Sequence, residues 1–310
     1  MLSTEELLRT IRGSISIGEP MSEHTSLKIG GSADFFIDPL DRDDFCEALR
    51  FFSRHNLPCT IIGRGSNMLV HDDGIRGAVI RTPRALGKLT VKKESVVVEA
   101  GVPLPLLAEK TFAASLGGIE LLQGIPGTTG GALMMNAGAW GQELFDVVSW
   151  VEVLRDGTLM TLQREEIRFG YRYGGLDDSV IISAGLKLKK LSAASVRERL
   201  VVLQESRKKR MESQPLSQPN AGSIFRNPDP VGHPEAMSAG KMIDLCGLKG
   251  TRRGDAVISD VHANFIVNAG SARAADMIEL ISVARNAVQS TFGICLDLEI
   301  KLLGFENALC

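Results

Sequence analysis

Apolar positions recur along this chain at two spacings, and each spacing predicts a different backbone. Between Ile37 and Ile62 the pattern reads strand, helix, strand. Phe45, Ala48, Leu49 and Phe52 fall on one helical face, Asp41 stands where a cap is needed, and Asn56-Leu57-Pro58 stops the run. Cys59-Thr60-Ile61-Ile62 predicts a buried strand that delivers the chain to Gly63-Arg64-Gly65-Ser66-Asn67. Short strands are predicted over 68–70, 77–80 and 95–100, then a helix over 105–116 ended by Gly117-Gly118. Strands over 147–154, 159–162 and 180–188 surround a loop that carries Tyr171-Arg172.

Past Leu191 the pattern becomes charged. Residues 195–214 predict a helix with a basic run, Arg207 to Arg210, closed by Pro215 and Pro219 and read as the connection between domains. Such a run is ordinarily a solvated helix face, with steering of a nucleotide phosphate as the alternative. In the last part, Ser271 is placed to cap a helix whose Met277, Ile278, Ile281, Ala284, Val288 and Phe292 form one stripe, ended by Gly293. Leu296, Leu298, Ile300 and Leu302 then alternate as in a final strand. Short strands mixed with helices predict an α+β fold rather than a regular βαβ series.

Composition narrows the function classes. A length of 310 residues suits about two domains, and 44% apolar against 23% charged residues is enough to bury a core. Lys and Arg number 35 against 37 Asp and Glu, a net charge of −2, so binding of nucleic acid through bulk charge is excluded. The five cysteines, Cys46, Cys59, Cys246, Cys295 and Cys310, show no metal-ligand spacing, and no metal is expected. They read as reduced thiols. With two acids at residues 5 and 6 and no apolar stretch of the roughly 20 residues needed to span a bilayer, the expectation is a cytoplasmic protein without membrane insertion.

Glycine, at 32 residues, is the informative excess. Gly63-Arg64-Gly65-Ser66-Asn67 follows a strand and can turn its amides toward one anion. Gly124-Ile125-Pro126-Gly127-Thr128-Thr129-Gly130-Gly131 is a second bare loop, in which Thr128 or Thr129 can cap a short helix and leave free N–H groups at its start. Two such loops imply a large ligand with a diphosphate. Met68 stands where the dinucleotide fingerprint requires glycine, and the phosphate-loop, nucleophile-elbow and zinc-protease motifs do not occur.

These stretches also carry a resemblance. Thr25 to Gly31, Ile62 to Val70, Gly124 to Gly141, Phe169 to Arg172, Asn220 to Pro228, Ala239 to Asp244 and His262 to Phe265 resemble the UDP-N-acetylenolpyruvoylglucosamine reductases in the family's order, over nearly the whole chain. The resemblance implies an FAD-binding module of the vanillyl-alcohol-oxidase (PCMH) type. Its two subdomains would span about 1–83 and 84–192, the module as a whole about 29–191. An α+β substrate domain over 193–310 would follow, of the shorter type in this family. It implies non-covalent FAD, NADPH as co-substrate, a UDP-sugar as substrate, a place in peptidoglycan precursor synthesis, and a monomer or weak oligomer.

By resemblance, Arg172 is the electrophile, Ser223 the proton donor and Glu299 a second acid/base or orienting group. Gly63, Arg64, Gly65, Ser66, Asn67, Gly124, Pro126, Gly127, Thr128, Thr129, Gly131, Asn136, Ala137 and Gly138 would hold the cofactor, with Tyr171, Arg226 and Asn227 on the substrate. From residue type alone, each has an ordinary alternative: Arg172 pairing with Asp177 or Asp178, Ser223 as a turn hydroxyl, Glu299 as an exposed charge on a strand. His262 reads as a satisfied interior histidine and Met134-Met135 as core. Arg64 replaces the middle of three usual glycines, Tyr173-Gly174-Gly175 stands where a serine is usual, and Arg226 replaces a common lysine with a fork suited to phosphate. Two other readings stand beside a reductase: another flavin oxidase or dehydrogenase of the same fold, and a non-catalytic nucleotide-sugar binder.

Overall fold

Asp41 caps the helix Arg42–Arg54, its carboxylate accepting the Asp44 N–H at 3.0 Å. Phe45, Ala48 and Phe52 are buried on the inner face of that helix. The computed structural model describes residues 4–228 and 237–305; Cys310 lies outside them. The chain divides into two compact units that are discontinuous in sequence. One comprises Met1–Ile17, Phe35–Arg64 and Gly77–Lys209, and the other Gly18–Asp34, Gly65–Arg76 and Arg210–Cys310.

The first unit is built around an antiparallel sheet in the order Thr158–Gln163, Val148–Arg155, Val180–Lys187, Ser95–Glu99, Leu89–Lys92. Val151, Val153, Ala184, Val96 and Val98 point from it into a core that also takes Leu107, Leu122, Leu133, Phe145 and Leu176. Gly185 is required there, since a Cβ would stand 2.1 Å from Trp150 Nε1. A four-stranded sheet has the order Ser14–Pro20, Ser32–Asp38, Ile75–Arg81, Cys59–Ile62, its strands divided between the stretches of both units.

In the second unit, the helix Ala274–Phe292 packs Met277, Ile281, Ala284 and Val288 against Met242 and Ile243 of the helix Ala239–Leu245. Leu27 and Leu69 belong to the same core. Lys301–Leu303 pairs in parallel with Met68–Val70, which binds the end of the chain to the residues just after the glycine loop.

Four expectations are corrected. Cys59–Ile62 is not a buried strand: it is the last in its sheet, Cys59 is exposed and only Ile62 is buried. The helix after it in the pattern covers Leu104–Ala113, shorter than 105–116 at its end. Ser115 turns left-handed (φ 56°) and Leu116–Gly117 leaves to pair with Lys189–Lys190, a long-range ladder that overrides helical propensity. Ser271 does not cap the long helix. Its N–H goes to Asp255, Arg273 occupies the cap with its N–H donating to Asp276 Oδ2 at 2.8 Å, and Asp72 accepts the Ala274 and Ala275 amides at 2.8 and 3.1 Å. The final strand shrinks to Lys301–Leu303, because residues 296–300 serve another pairing described below. The stripe ends at Gly293 (φ 70°) as the pattern predicts.

Candidate active site

Leaving Cys59–Ile62, the chain enters the first glycine loop, where Arg64 and Gly65 donate their amides to no backbone carbonyl among the described residues. A Cβ on Gly63 would stand 2.4 Å from Thr128 Oγ1. Glycine there lets the end of the strand lie directly against the second glycine loop.

In that loop Thr128 caps the helix Thr129–Met134, accepting the Gly131 N–H at 3.4 Å. The expectation of free amides at the start of this helix is corrected. Thr129 N–H donates to Val102 O and Gly130 N–H to Ala100 O, both at 2.8 Å. The bridge between Pro103 and Thr128 draws the helix onto the chain at 100–102 and uses those donors. Gly127 (φ 129°) and Thr128 keep amides without a backbone acceptor among the described residues. The amides left without a backbone acceptor are therefore those of the loop, not those of the helix terminus. Gly63-Arg64 and Gly127-Thr128, two bare segments in contact, fit the diphosphate of FAD. Gly124 closes the short helix before this loop, and Pro126 lies within it.

The Tyr171-Arg172 pair sits at the tip of a tight hairpin. Gly170 N–H donates to Tyr173 O at 2.8 Å and Tyr173 N–H to Gly170 O at 3.1 Å. Arg172 adopts φ 54°, a left-handed conformation that costs a side-chain-bearing residue about 1 kcal/mol. Its guanidinium carbon lies 5.0 Å from the centre of the Tyr171 ring. Nearby, Asp178 pairs with Arg155 at 2.8 Å, and Asp177 interacts with Tyr173, pushing that phenol's pKa up by its charge first and its hydrogen bond second.

Asn136, expected on the cofactor, is fully buried with φ 42°. Its amide donates to Glu143 Oε2 at 2.7 Å and Gly170 O at 3.0 Å, and its oxygen accepts the Phe145 N–H at 3.1 Å. The side chain is thus wholly engaged in anchoring the Arg172 hairpin. Ala137 is buried beside it, and Gly138 follows in a two-residue strand.

In the second unit, one crossing brings together segments far apart in sequence. Glu299 N–H donates to Ile224 O at 2.8 Å, Arg226 N–H to Asp297 O at 2.9 Å, and Phe225 bridges to Leu298. Ser223 and Glu299, both half-buried, therefore sit on adjacent chain segments. Asn67 joins them: its amide donates to Glu299 O at 3.1 Å and its own carbonyl accepts the Lys301 N–H at 3.0 Å. Gly65 O accepts the Ser26 N–H at 3.0 Å, and Ser26 Oγ donates to Asn220 O at 2.7 Å. Ser66 lies between Gly65 and Asn67. Arg226 Nε is buried with no hydrogen-bond partner among the described residues, a donor placed for an anion. Asn227 is exposed and accepts the Ala239 N–H at 3.0 Å.

Sequence reasoning missed three residues that hold this geometry. Asn264, buried, grips Phe225 by both backbone groups at 3.0 and 2.8 Å. Ser26 ties the glycine loop to Asn220, and Glu143 reaches Asn136. Only the His262-Ala263-Asn264-Phe265 block hinted at the first. His262, read as an interior histidine, is only half-buried; its Nδ1 accepts the Asn264 N–H at 3.2 Å. Among the described residues no cluster of acids, cysteines and histidines could hold a metal ion, and no helix is long and apolar enough to cross a membrane.

Residues 33–163 match the FAD binding domain family and 214–303 the UDP-N-acetylenolpyruvoylglucosamine reductase C-terminal domain. The chain is similar to the UDP-N-acetylenolpyruvoylglucosamine reductase of Chloroherpeton thalassium, 47% identical over 99% of both chains. It is 40% identical to that of Anoxybacillus flavithermus over 97% of this chain and 98% of the relative. The crystal structure of the reductase from Thermus caldophilus superposes with a TM-score of 0.77 at 36% identity, covering 94% of this chain and 99% of that one. Loop amides fit for a diphosphate, an FAD-binding domain and a matching C-terminal domain agree: the chain belongs to the UDP-N-acetylenolpyruvoylglucosamine reductase (MurB) family, the FAD-dependent UDP-N-acetylmuramate dehydrogenases of peptidoglycan precursor synthesis.

Proposed function

We propose that Arg172, Ser223 and Glu299 carry the reduction of the enolpyruvyl group of the UDP-sugar. A vinyl ether is electron-rich and accepts hydride poorly, so its carboxylate must be polarised. Arg172 places fixed positive charge where the carboxylate becomes an enolate, which stabilises the transition state more than the ground state. Ser223 Oγ delivers the proton to the enolate carbon, and Glu299 orients the reacting acid or exchanges that proton. FAD, held non-covalently, would supply hydride-transfer chemistry there, with NADPH as the reductant. The amides of the two glycine loops hold its diphosphate. Arg226 and Asn227 meet the phosphates or sugar of the substrate, and Tyr171 lines its path.

The observation that supports this reading most is the bond from Glu299 N–H to Ile224 O at 2.8 Å, which holds the proposed acid and the proposed proton donor on neighbouring strands of chain. The FAD module would span about 29–191 and the substrate domain 193–310. The enzyme would work in the cytoplasm as a monomer or weak oligomer.

Anaerobic stopped-flow measurement of the two half-reactions tests the assignment. Ser223→Ala leaves bleaching of the flavin by NADPH intact and slows its reoxidation by the enolpyruvyl substrate about 10²–10³-fold. Reoxidation at the native rate overturns the proton-donor role. NADPH and substrate meet one flavin face in turn, so initial-rate plots are parallel; a ternary complex of enzyme, NADPH and substrate contradicts this.

A further inference from the structure

The hairpin that carries Arg172 is not held by its own strands alone. Asn136 reaches Gly170 O at 3.0 Å and, with the same amide nitrogen, Glu143 Oε2 at 2.7 Å. The Glu143 backbone is fixed as well, its N–H donating to Asp146 Oδ2 at 2.9 Å at the start of the turn Leu144–Asp146. Between Glu143 and Arg172 stands Gly138. A Cβ there would lie 2.9 Å from Glu143 Cγ and 3.3 Å from Arg172 Nη1, so the two side chains share the space that glycine leaves open. Those two distances put Glu143 Cγ within about 6 Å of Arg172 Nη1.

We propose that Glu143 is the positioning residue of Arg172: its carboxylate, held by Asn136, fixes the guanidinium against the Tyr171 ring and aims it at the substrate carboxylate. This rests on the assignment of Arg172 as the electrophile. The physical reason is pre-organisation. A left-handed arginine at a hairpin tip has a long side chain with several open rotamers, and a donor aimed at developing charge is effective only when its direction is set before the reaction. Tyr171 supplies a stacking face, which restrains the plane but not rotation within it; a carboxylate on one edge removes that freedom. Gly138 is needed because any side chain would part the pair.

The test is a cycle on the holoenzyme with Glu143→Gln, Glu143→Asp, Arg172→Ala and the double variant Glu143→Gln/Arg172→Ala, following each half-reaction separately. Glu143→Gln keeps the size and the hydrogen-bond acceptor and removes the charge. It slows flavin reoxidation by the enolpyruvyl substrate about 10–100-fold, a loss typical of removing an outer-shell partner, while NADPH still bleaches the flavin at the native rate. Glu143→Asp, which restores the charge on a shorter stem, recovers part of the loss. In the Arg172→Ala background Glu143→Gln costs nothing further, because a residue that acts through another has no effect once that other is gone. Additive losses, or full reoxidation in Glu143→Gln, overturn the positioning role and leave Arg172 as electrophile. Full reoxidation in Arg172→Ala overturns both. Should Glu143→Gln fail to retain flavin, Glu143→Asp takes its place in the cycle, and additivity there overturns the proposal equally.

Discussion

The two regions that carry the proposed chemistry are held by opposite means. Around Arg172, geometry is set by side chains and by backbone in left-handed conformations: Asn136 at φ 42°, Arg172 at φ 54°, and one carboxamide serving three partners. Around Ser223 and Glu299, it is set by main-chain bonds between segments over seventy residues apart, with Asn264 imitating a further strand by binding both backbone groups of Phe225. Backbone ladders position a chain segment but leave its side chains some freedom, which suits a hydroxyl that must deliver a proton. A guanidinium that must already point at developing charge needs side-chain restraint, and its region accepts backbone strain to obtain it.

This contrast predicts different costs. Asn136→Ala leaves the buried Phe145 N–H without its acceptor and puts alanine at a positive φ, so unfolding in urea registers a loss of about 3–5 kcal/mol. Asn264→Ala leaves the two groups of Phe225 unpaired but strains nothing, and loses about 2–4 kcal/mol by the same measurement. A smaller loss at Asn136 than at Asn264 breaks the comparison.

Arg172→Gly sharpens it. Removing the side chain relieves the left-handed strain but gives up its contact with the Tyr171 ring, so thermal stability changes by less than about 1 kcal/mol while reoxidation by substrate collapses. A large fall in Tm shows that Arg172 holds the hairpin together.

The smallest effect lies beside Asn264. Burial, and then the charge of Lys249, push the His262 pKa below its ordinary value. In the unfolded chain this imidazole gains its proton near its usual pKa of ~6.5, so the unfolded state binds more protons just below that pH. Its contribution to stability is therefore complete above about 6.5 and is lost as pH falls toward the folded value. His262→Gln flattens the stability profile below about pH 6.5 in equilibrium unfolding; an unchanged slope assigns the dependence to other groups.

Much of the architecture is legible in the residue pattern. Asp41, the Phe45 stripe, the three long strands of the first unit and the Gly293 stop are local features: a cap, a period, a left-handed turn, each decided within a few residues. Candidate chemistry was legible only in part. Gly63 and Gly127 are found where bare backbone was read, but the helix at Thr129 loses its free amides to Val102 and Ala100, residues nearly thirty positions earlier. The side-chain partners of Asn136 were not legible, because nothing near it in sequence announces Gly170 or Phe145 as partners.

Short-range order thus belongs to the sequence: which segments coil, which extend, and where glycine clears the way for a diphosphate. Tertiary structure alone decided which amides remain free, that Glu299 lies beside Ile224, and that Glu143 and Arg172 share the gap at Gly138. The reason is physical. Caps and periods are satisfied within one turn or one strand, whereas the saturation of a hydrogen-bond donor depends on whichever acceptor folding brings to it from anywhere in the chain.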